Sequence, residues 1–278
     1  MLSYLHAFHA GNYADLQKHY ALFATLQLMH NKATAITCID THAGSAVYDL
    51  TSEQALKTGE AAAGIQRLWH AARQQPLAPW EGFLAALAEV NRGDALRYYP
   101  GSPAWFQLCQ RPGDELLAFE LHSNETSRLQ AWAKGKPVRV INTDGFRGLL
   151  KALPPRHPRL LVLIDPPYEI KDDYLTAAGT LVKAWQRCRH GVFLLWYPIL
   201  PAGLHNDMLA RIQSGPLRKV LRSEVWLRNP PSRGMLGTGL LVVNPPWTLE
   251  DQLTQAMKAL DHAGVLSCQY QSDWLVTE

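Results

Sequence analysis

The sequence of 278 residues predicts an α/β protein with one doubly wound, largely parallel sheet and a small inserted helical subdomain. Short β-rich runs alternate with amphipathic helical patterns, as expected for a sheet covered on both faces. The run 160–164 is continuously apolar, which is typical of a central parallel strand. The segment from about 53 to 95 is helical and alanine-rich without a strand pattern, and it indicates the insertion.

The first elements are a helix and a strand. Residues 13–30 carry apolar side chains at spacings of three to four and predict an amphipathic helix that begins near Asn12. Residues 35–40 form a β-rich run that ends on an acid and leads into the small residues of 41–46. This is the first strand-to-loop junction, where the backbone is able to approach a ligand closely.

Beyond the insertion, strand and helix patterns alternate again. They predict strands at 116–121, 138–142, 160–164, 192–196, 220–227 and 239–243, and helices at 126–134, 146–153, 173–188 and 204–213. The last two strands are joined by a loop rich in proline and predict an antiparallel hairpin. No linker separates autonomous parts, so residues 1–278 are expected to form one domain with its insertion at about 53–95.

Composition limits the function only loosely. The 27 basic residues exceed the 24 acidic ones by three, which permits a nucleic-acid partner without arguing for one. The four cysteines are widely separated, so they indicate neither a zinc cage nor a disulfide framework. No signal peptide and no apolar stretch of membrane-spanning length is present, and we expect a soluble cytoplasmic protein with no membrane contact and no obligate protein partner.

The most informative motif is Asp165-Pro-Pro-Tyr168, which follows the apolar run 160–164, at the end of the strand where ligands bind. The motif is suited to hold the exocyclic amino group of a base. The lone pair of such a group is delocalised into the ring, so its alkylation requires hydrogen-bond acceptors for its N–H bonds. The carboxylate of Asp165 and the carbonyl of Pro166 are such acceptors. The prolines fix the loop, and Tyr168 offers a face for a flipped base. The alternative is a simple strand-terminating turn.

Two further acids lie at the carboxyl ends of predicted strands. Glu120 lies 80 residues after Asp40, whereas the acid for ribose hydroxyls usually lies about 20 residues past the glycine loop. The longer spacing is explained if the helical segment 53–95 is inserted between the first strand and the strand that carries Glu120. Asp144, followed by Gly145, lies just after the strand 138–142, where a side chain is placed to accept from the adenine amino group of a cofactor; an N-cap for the next helix is an equally good interpretation.

Histidines and basic residues complete the candidates. His6, His9, His19 and His42 have no carboxylate or cysteine at ligand spacing, so we expect no metal and assign hydrogen-bonding roles to His19 and His42. Basic residues cluster at 156–159, 187–190 and 218–233. Each cluster is able to contact phosphate, although a solvated surface is the more common role.

A series of sequence blocks resembles the large ribosomal subunit RNA methyltransferase J family, and the blocks run in order across nearly the whole chain. They are Tyr4-x-His-x-Phe-His-Ala-Gly-Asn12, Lys18-His19, Asp40-Thr-His-Ala-Gly44, Tyr98-Tyr-Pro-Gly-Ser-Pro103, Glu120-Leu-His122, Asp144-Gly-Phe146, Asp165-Pro-Pro-Tyr168, Trp196-Tyr-Pro198, Arg233-Gly-Met235 and Asn244-Pro-Pro-Trp247.

The resemblance implies a Rossmann-like class I methyltransferase sheet with a helical insertion, S-adenosylmethionine as methyl donor, and N6-methylation of one adenine in 23S ribosomal RNA. It further implies that Asp165 accepts the target amino group and that Tyr4, on a mobile N-terminal tail, contacts the substrate. The residues that it implies as cofactor contacts are His19, His42, Ser102, Glu120, Asp144, Gly145 and Asp165.

Where family members often have a second glycine in the first loop, this chain has Ala46, whose Cβ is expected to narrow the loop and weaken cofactor binding.

Two alternatives to the ribosomal RNA enzyme stay open. One is a DNA adenine-N6 methyltransferase, since Asp-Pro-Pro-Tyr also occurs there, although the chain lacks room for a target-recognition domain. The other is a non-catalytic nucleic-acid-binding relative linked to the use of external DNA.

Overall fold

A computed structural model describes residues 4–92 and 95–278. Its strands are β1 (Ile36–Asp40), β2 (Val47–Asp49), β3 (Tyr98–Pro100), β4 (Glu115–Phe119), β5 (Val138–Ile141), β6 (Arg159–Ile164), β7 (Val192–Ile199), β8 (Val220–Leu227), β9 (Gly237–Val243) and β10 (Cys268–Val276). Its helices are α1 (Tyr13–Met29), α2 (Glu53–Thr58), α3 (Glu60–Ala63), α4 (Ile65–Gln74), α5 (Glu81–Asn91), α6 (Ser102–Cys109), α7 (Ser123–Ala133), α8 (Gly145–Ala152), α9 (Asp173–Arg187), α10 (Leu204–Gln213) and α11 (Leu249–His262).

Eight of the strands form one sheet in the order β10-β8-β9-β7-β6-β1-β4-β5. The five strands from β7 to β5 are mutually parallel, and β9, β8 and β10 are antiparallel to their neighbours. We call the edge where the parallel strands end the carboxyl edge, and the opposite edge the amino edge. The predicted largely parallel α/β sheet and the antiparallel pairing of β8 with β9 are confirmed.

Both faces of the sheet are covered, which is why the central strands are apolar throughout. All five residues of β1 and five of the six in β6 are buried. One hydrophobic cluster joins the sheet to α1, α4, α5, α6 and α11, and a second joins it to α8, α9 and α10. This is the doubly wound arrangement that alternating strands and helices predict.

The sequence patterns did not predict several elements of the fold. β2 and β3 pair as a two-stranded ribbon beside the insertion, and α6, α11 and β10 were not predicted. β7 is longer than its predicted counterpart because it continues through the Trp196-Tyr-Pro198 block. β4 ends at Phe119, before the predicted end at residue 121, so Glu120 lies in the loop immediately after the strand instead of within it.

The expectation that the first helix is amphipathic is wrong. α1 is buried on nearly every side, and Asp15, Gln17, Lys18 and His19 are among its buried residues. It packs against α6, α11 and α3 and also contacts β7 and β9. The polar side chains of α1 therefore lie inside the molecule, where they need partners other than water.

The predicted insertion corresponds to helices α2 to α5, but these helices do not form a core of their own. Trp80 and Phe83 pack against Tyr20 of α1, and Phe83 stacks on Trp105 of α6. Residues 93 and 94, which the predicted insertion includes, lie outside the described residues. The division of residues 1–278 into a domain and an insertion stays a prediction. Across the described ranges, no helix combines the length and apolarity needed to cross a bilayer.

Candidate active site

A cavity of about 590 Å³ opens at the carboxyl edge of the sheet. Its size lies within the range of small-molecule and cofactor sites. Loops that follow β1, β4, β5, β6 and β7 line it, together with α1 and the N-terminal segment. Every residue that the sequence nominated for the site is among the lining residues: Tyr4, His19, His42, Ser102, Glu120, Asp144, Gly145, Asp165, Pro166 and Tyr168.

Two glycines allow the walls of the cavity to approach each other. Gly44 has a left-handed backbone with φ of 61°, and a Cβ there would lie 2.2 Å from the hydroxyl of Tyr48. A Cβ on Gly145 would lie 1.8 Å from the backbone oxygen of Thr41. The loop after β1 and the start of α8 are therefore packed backbone against backbone, as the small residues of 41–46 predict.

Glu120 connects the loop after β1 to the end of β4. Its Oε2 accepts from the N–H of Gly44 at 2.8 Å, and its Oε1 accepts from the N–H of His122 at 2.7 Å. Burial raises the pKa of Glu120, and these two N–H groups oppose the rise. Each oxygen keeps a lone pair for a further donor, such as a ribose hydroxyl.

Asp144 combines both interpretations of its position. Its carboxylate accepts from the N–H of Arg147 at 2.8 Å and so caps α8, while the residue also lines the cavity. The cap and a ligand contact are compatible because a carboxylate has more acceptor sites than a single N–H occupies.

The two nominated histidines are positioned as neutral side chains. His19 Nδ1 is hydrogen-bonded to the hydroxyl of Tyr99 at 2.9 Å, and burial holds the pKa of His19 well below its usual range. His42 Nδ1 is hydrogen-bonded to the Thr41 hydroxyl at 2.8 Å, and burial lowers the pKa of His42 to about 4. Each therefore keeps one ring nitrogen for a ligand without adding a positive charge.

Lys18 is a candidate functional residue that the sequence analysis did not assign to the site. Its Nζ lies 2.6 Å from Oδ2 of Asp165 and 3.0 Å from Oδ1 of Asp15, and its side chain is only 6% exposed. Burial lowers the pKa of Lys18, but the two carboxylates outweigh this and raise it. The spacing of Asp15 and Lys18 on one helix face was a visible signal; the pairing with Asp165, 147 residues later, was not.

The N-terminal segment is connected to this ion pair. Asp15 Oδ2 accepts from the N–H of Gly11 at 2.8 Å and is paired with His6 Nε2 at 3.0 Å. The other nitrogen of His6 is hydrogen-bonded to the hydroxyl of Tyr4 at 2.9 Å, and the ring of Tyr4 stacks on His9. A continuous polar chain therefore runs from Tyr4 through α1 to Asp165. Movement of the tail stays a prediction.

The position of Tyr168 restricts its predicted role. Its hydroxyl donates to the backbone oxygen of Trp196 at 2.5 Å, its ring lies 4.4 Å from that of Tyr174, and only 8% of it is exposed. Little of the ring face is open for a base to stack on, so base stacking on Tyr168 stays a prediction that this packing disfavours. Pro166 and Pro167 lie beside it in the cavity wall.

Asp40 is a buried carboxylate beneath the cavity. It is fully buried at the end of β1, and neither oxygen has a hydrogen-bond partner of good geometry among the described residues. Burial raises the pKa of Asp40 to about 7, although the nearby Ser102 hydroxyl and His42 N–H oppose the rise. Ionisation of this group therefore falls near neutral pH.

Ala46 lies outside the cavity lining and does not narrow it directly. It is fully buried with a left-handed φ of 69°, and its oxygen accepts from the N–H of Gly101 at 2.6 Å. The cost of a side chain at this position is backbone strain. A weakened affinity for the cofactor stays a prediction.

The charges of the cavity fit S-adenosylmethionine, which carries an ammonium and a sulfonium cation. Seven acids line the cavity against Lys18 as the single lysine or arginine among the described lining residues, and the neutral His19 and His42 offer donors for a carboxylate. The acids are Asp15, Glu60, Glu120, Glu125, Asp144, Asp165 and Asp173. Over the described ranges, no cluster of three or more His, Cys, Asp or Glu side chains is arranged to hold a metal ion.

Comparison with known proteins gives consistent matches over most of the chain. A family model described as "Ribosomal RNA large subunit methyltransferase D, RlmJ" matches residues 33–276. The ribosomal RNA large subunit methyltransferase J of Escherichia coli K12 is 38% identical over 92% of both chains. The protein of the same name from Haemophilus influenzae is 37% identical over 94% of this chain and 93% of its own.

One solved structure has the same fold throughout. The crystal structure of protein LPL1258 from Legionella pneumophila superimposes with a TM-score of 0.88 at 29% identity, and the match covers 96% of this chain and 98% of that one. The missed elements α6, α11 and β10 therefore belong to a fold that a related protein shares.

Proposed function

We propose that this chain, which belongs to the family described as "Ribosomal RNA large subunit methyltransferase D, RlmJ", transfers a methyl group from S-adenosylmethionine to the N6 amino group of an adenine in 23S ribosomal RNA. The membership confirms the resemblance drawn from the sequence blocks. Two relatives are named as ribosomal RNA large subunit methyltransferases, which supports ribosomal RNA as the partner and the cytoplasm as the location.

The observation that carries the proposal is the position of Asp165. It lies directly after the central strand β6 and faces a cavity that also contains Glu120, Asp144 and two neutral histidines. Glu120 is suited to accept from ribose hydroxyls and Asp144 to accept from an adenine amino group. His19 and His42 are suited to donate to the carboxylate of the methionine moiety.

When bound, S-adenosylmethionine would supply a methyl group on a positively charged sulfur. Attack by N6 of adenine would form the N–C bond and break the S–C bond, the sulfur would leave as a neutral thioether, and one amino proton would pass to solvent or to a carboxylate. Asp165 and the Pro166 carbonyl hold the two N–H bonds of the amino group and thereby orient its lone pair. Lys18 donates to Oδ2 of Asp165, which leaves Oδ1 as the better acceptor for the substrate. Asp165 therefore acts as an orienting acceptor for the amino group.

The base must leave its stack to reach this cavity, since a paired adenine presents its amino group to its partner strand. Tyr4 is 38% exposed at the rim and is suited to contact the extruded nucleotide. The acidic side chains of the lining do not repel a base or a ribose, because both groups are neutral. The phosphates, in contrast, must be neutralised by basic side chains outside the lining.

The test is transfer of labelled methyl groups from S-adenosylmethionine to protein-free, unmodified 23S ribosomal RNA, with adenine-containing duplex DNA in a parallel reaction. We expect label in the RNA, recovered as N6-methyladenosine after nucleoside analysis. Label only in DNA would assign the protein to the DNA adenine-N6 class. Absence of label in both, together with absence of cofactor binding, would identify a non-catalytic nucleic-acid-binding relative.

A further inference from the structure

The amino edge of the sheet, opposite the candidate active site, collects basic residues from three loops that are distant in sequence. Arg156 lies just before β6, Arg189 just before β7 and Arg218 just before β8. β6 pairs with β7, β7 with β9, and β9 with β8, so the three loops enter β6, β7 and β8, which lie within a row of four neighbouring strands. At the usual strand spacing, they lie within about 15 Å along this edge.

Asn244 fixes two of these loops side by side. Its backbone is left-handed, with φ of 54°, and its side-chain amide donates to the oxygens of Arg189 and Gly191, both at 2.8 Å. Its N–H donates to the oxygen of Lys219 at 3.0 Å. The Asn244-Pro-Pro-Trp247 block, which the candidate active site does not use, therefore builds the amino edge.

The three arginines carry charge that no acid neutralises among residues 4–92 and 95–278. All three are exposed. The guanidinium of Arg189 lies 5.3 Å from the ring of Trp185, and that of Arg218 donates to the carbonyls of Gly215 and Leu217. The nearby Lys219 is paired with Glu278 at the end of the chain, so it adds less to the local charge.

Trp247 follows the end of β9 and lies three residues after Asn244, at the same edge of the sheet, and it is 91% exposed. It is the most exposed of the large hydrophobic side chains among the described residues. Two prolines precede it and restrict the backbone that carries the ring. An exposed indole beside arginines provides a stacking platform for an unpaired base, with phosphates held on either side.

We propose that the amino edge, formed by Arg156, Arg189, Arg218 and Trp247, is a second RNA-contact surface that binds phosphates and an unpaired base of the substrate outside the methylated segment. The inference rests on the proposed function, because it assumes an RNA substrate. The cavity side of the sheet has an acidic lining, and β7, with its eight residues, separates the two edges by about 26 Å. The surface therefore serves structured RNA that extends well beyond the target nucleotide.

The test compares the wild type with the triple variant Arg156→Gln/Arg189→Gln/Arg218→Gln on two substrates, a short RNA hairpin containing the target adenine and a long fragment of 23S ribosomal RNA. The matched control neutralises three exposed basic residues of the helical layer, Arg67→Gln/Arg92→Gln/Lys258→Gln. Thermal unfolding and S-adenosylhomocysteine binding of each variant verify that the fold and the cofactor site are unchanged.

For the triple variant, we expect KM for the long RNA to rise about tenfold with kcat unchanged, and kcat/KM for the hairpin to stay within twofold. The slope of log affinity for the long RNA against log salt concentration should decrease in magnitude by about 3, one for each lost phosphate contact. Trp247→Ala should weaken long-RNA binding roughly fivefold or more, and Trp247→Phe should restore most of it.

Three outcomes would overturn the proposal: unchanged KM and salt slope in the triple variant, an equal loss in the control variant, or an equal loss on the hairpin. Wild-type protein that methylates neither RNA would instead refute the proposed function. Measuring direct binding of the long RNA in parallel separates the two results, since the amino edge acts on binding whether or not methyl transfer is detected.

Discussion

Replacing Lys18 by methionine removes the buried cation that joins α1 to Asp165. At an effective dielectric constant of about 20, an ammonium about 3 Å from a carboxylate contributes roughly 5 kcal/mol of gross attraction. Removal of one partner from a buried ion pair typically costs about 3–5 kcal/mol, because the remaining charge is left buried and unpaired. Lys18 has two such partners, so we expect the free energy of unfolding to fall by at least about 3 kcal/mol at pH 7.5.

The loss should depend on pH, with a sign set by Asp15. Burial raises the pKa of Asp15, but attraction to His6 and Lys18 outweighs it and holds the pKa well below its usual range. A depressed carboxyl pKa stabilises the folded state above its unfolded value of about 3.9, and this contribution is lost as the pH falls. Without Lys18 the pKa of Asp15 rises, so the variant binds a proton at Asp15 at a higher pH than the wild type does. The variant thereby recovers part of its loss, and the difference in stability should be smaller at pH 4.5 than at pH 7.5.

The assay is urea unfolding at both pH values, with Lys183→Met as an exposed-lysine control that should change stability by less than about 0.5 kcal/mol. The double variant Lys18→Met/Asp165→Asn should recover part of the loss, since a neutral amide needs no cation. A loss below about 1 kcal/mol, or one that is equal at both pH values, would refute the assignment of Lys18 as the charge partner of Asp15 and Asp165.

Three further predictions concern single carboxylates. Asp165→Asn should leave the protein folded but reduce methyl transfer at least about 100-fold, because the amide lacks the anionic acceptor; retained activity would contradict the mechanism. Glu120→Gln should weaken S-adenosylhomocysteine binding about tenfold by calorimetry, and an unchanged affinity would argue against a ribose contact. Because burial raises the pKa of Asp40 to about 7, its ionisation should cost up to about 4 kcal/mol of stability as the pH rises from 4 to 7. Asp40→Asn should flatten that dependence, and an unaltered slope would show that Asp40 does not titrate in this range.

The candidate site was largely accessible from the sequence because its residues occupy a position that topology fixes. Glu120, Asp144 and Asp165 each follow a parallel strand, and the carboxyl ends of parallel strands meet at one edge of the sheet. Their convergence on one cavity needed no knowledge of side-chain packing. The roles of these residues toward the cofactor and the substrate were implied by the resemblance and await experiment.

Other features depended on contacts that a local pattern does not encode. The α1 helix was expected to be amphipathic, but its polar residues are buried since α3, α6 and α11 surround it. The missed strand β10 alternates weakly because it lies at the edge of the sheet, with several residues partly exposed on both faces. The sequence predicted that the ring of Tyr168 is available for a base to stack on, but the ring is packed against Tyr174.

The sequence by itself determined the α/β class, the central strand β6, the acids at the strand ends and the family, since these follow from hydrophobic periodicity and from ordered motifs. Only the tertiary structure decided that Lys18 is paired with Asp165 and that Arg156, Arg189 and Arg218 share one edge with Trp247. The physical reason is that a charge acts through distance and burial. Residues far apart in the chain acquire a common electrostatic role only when strand pairing and helix packing bring them together.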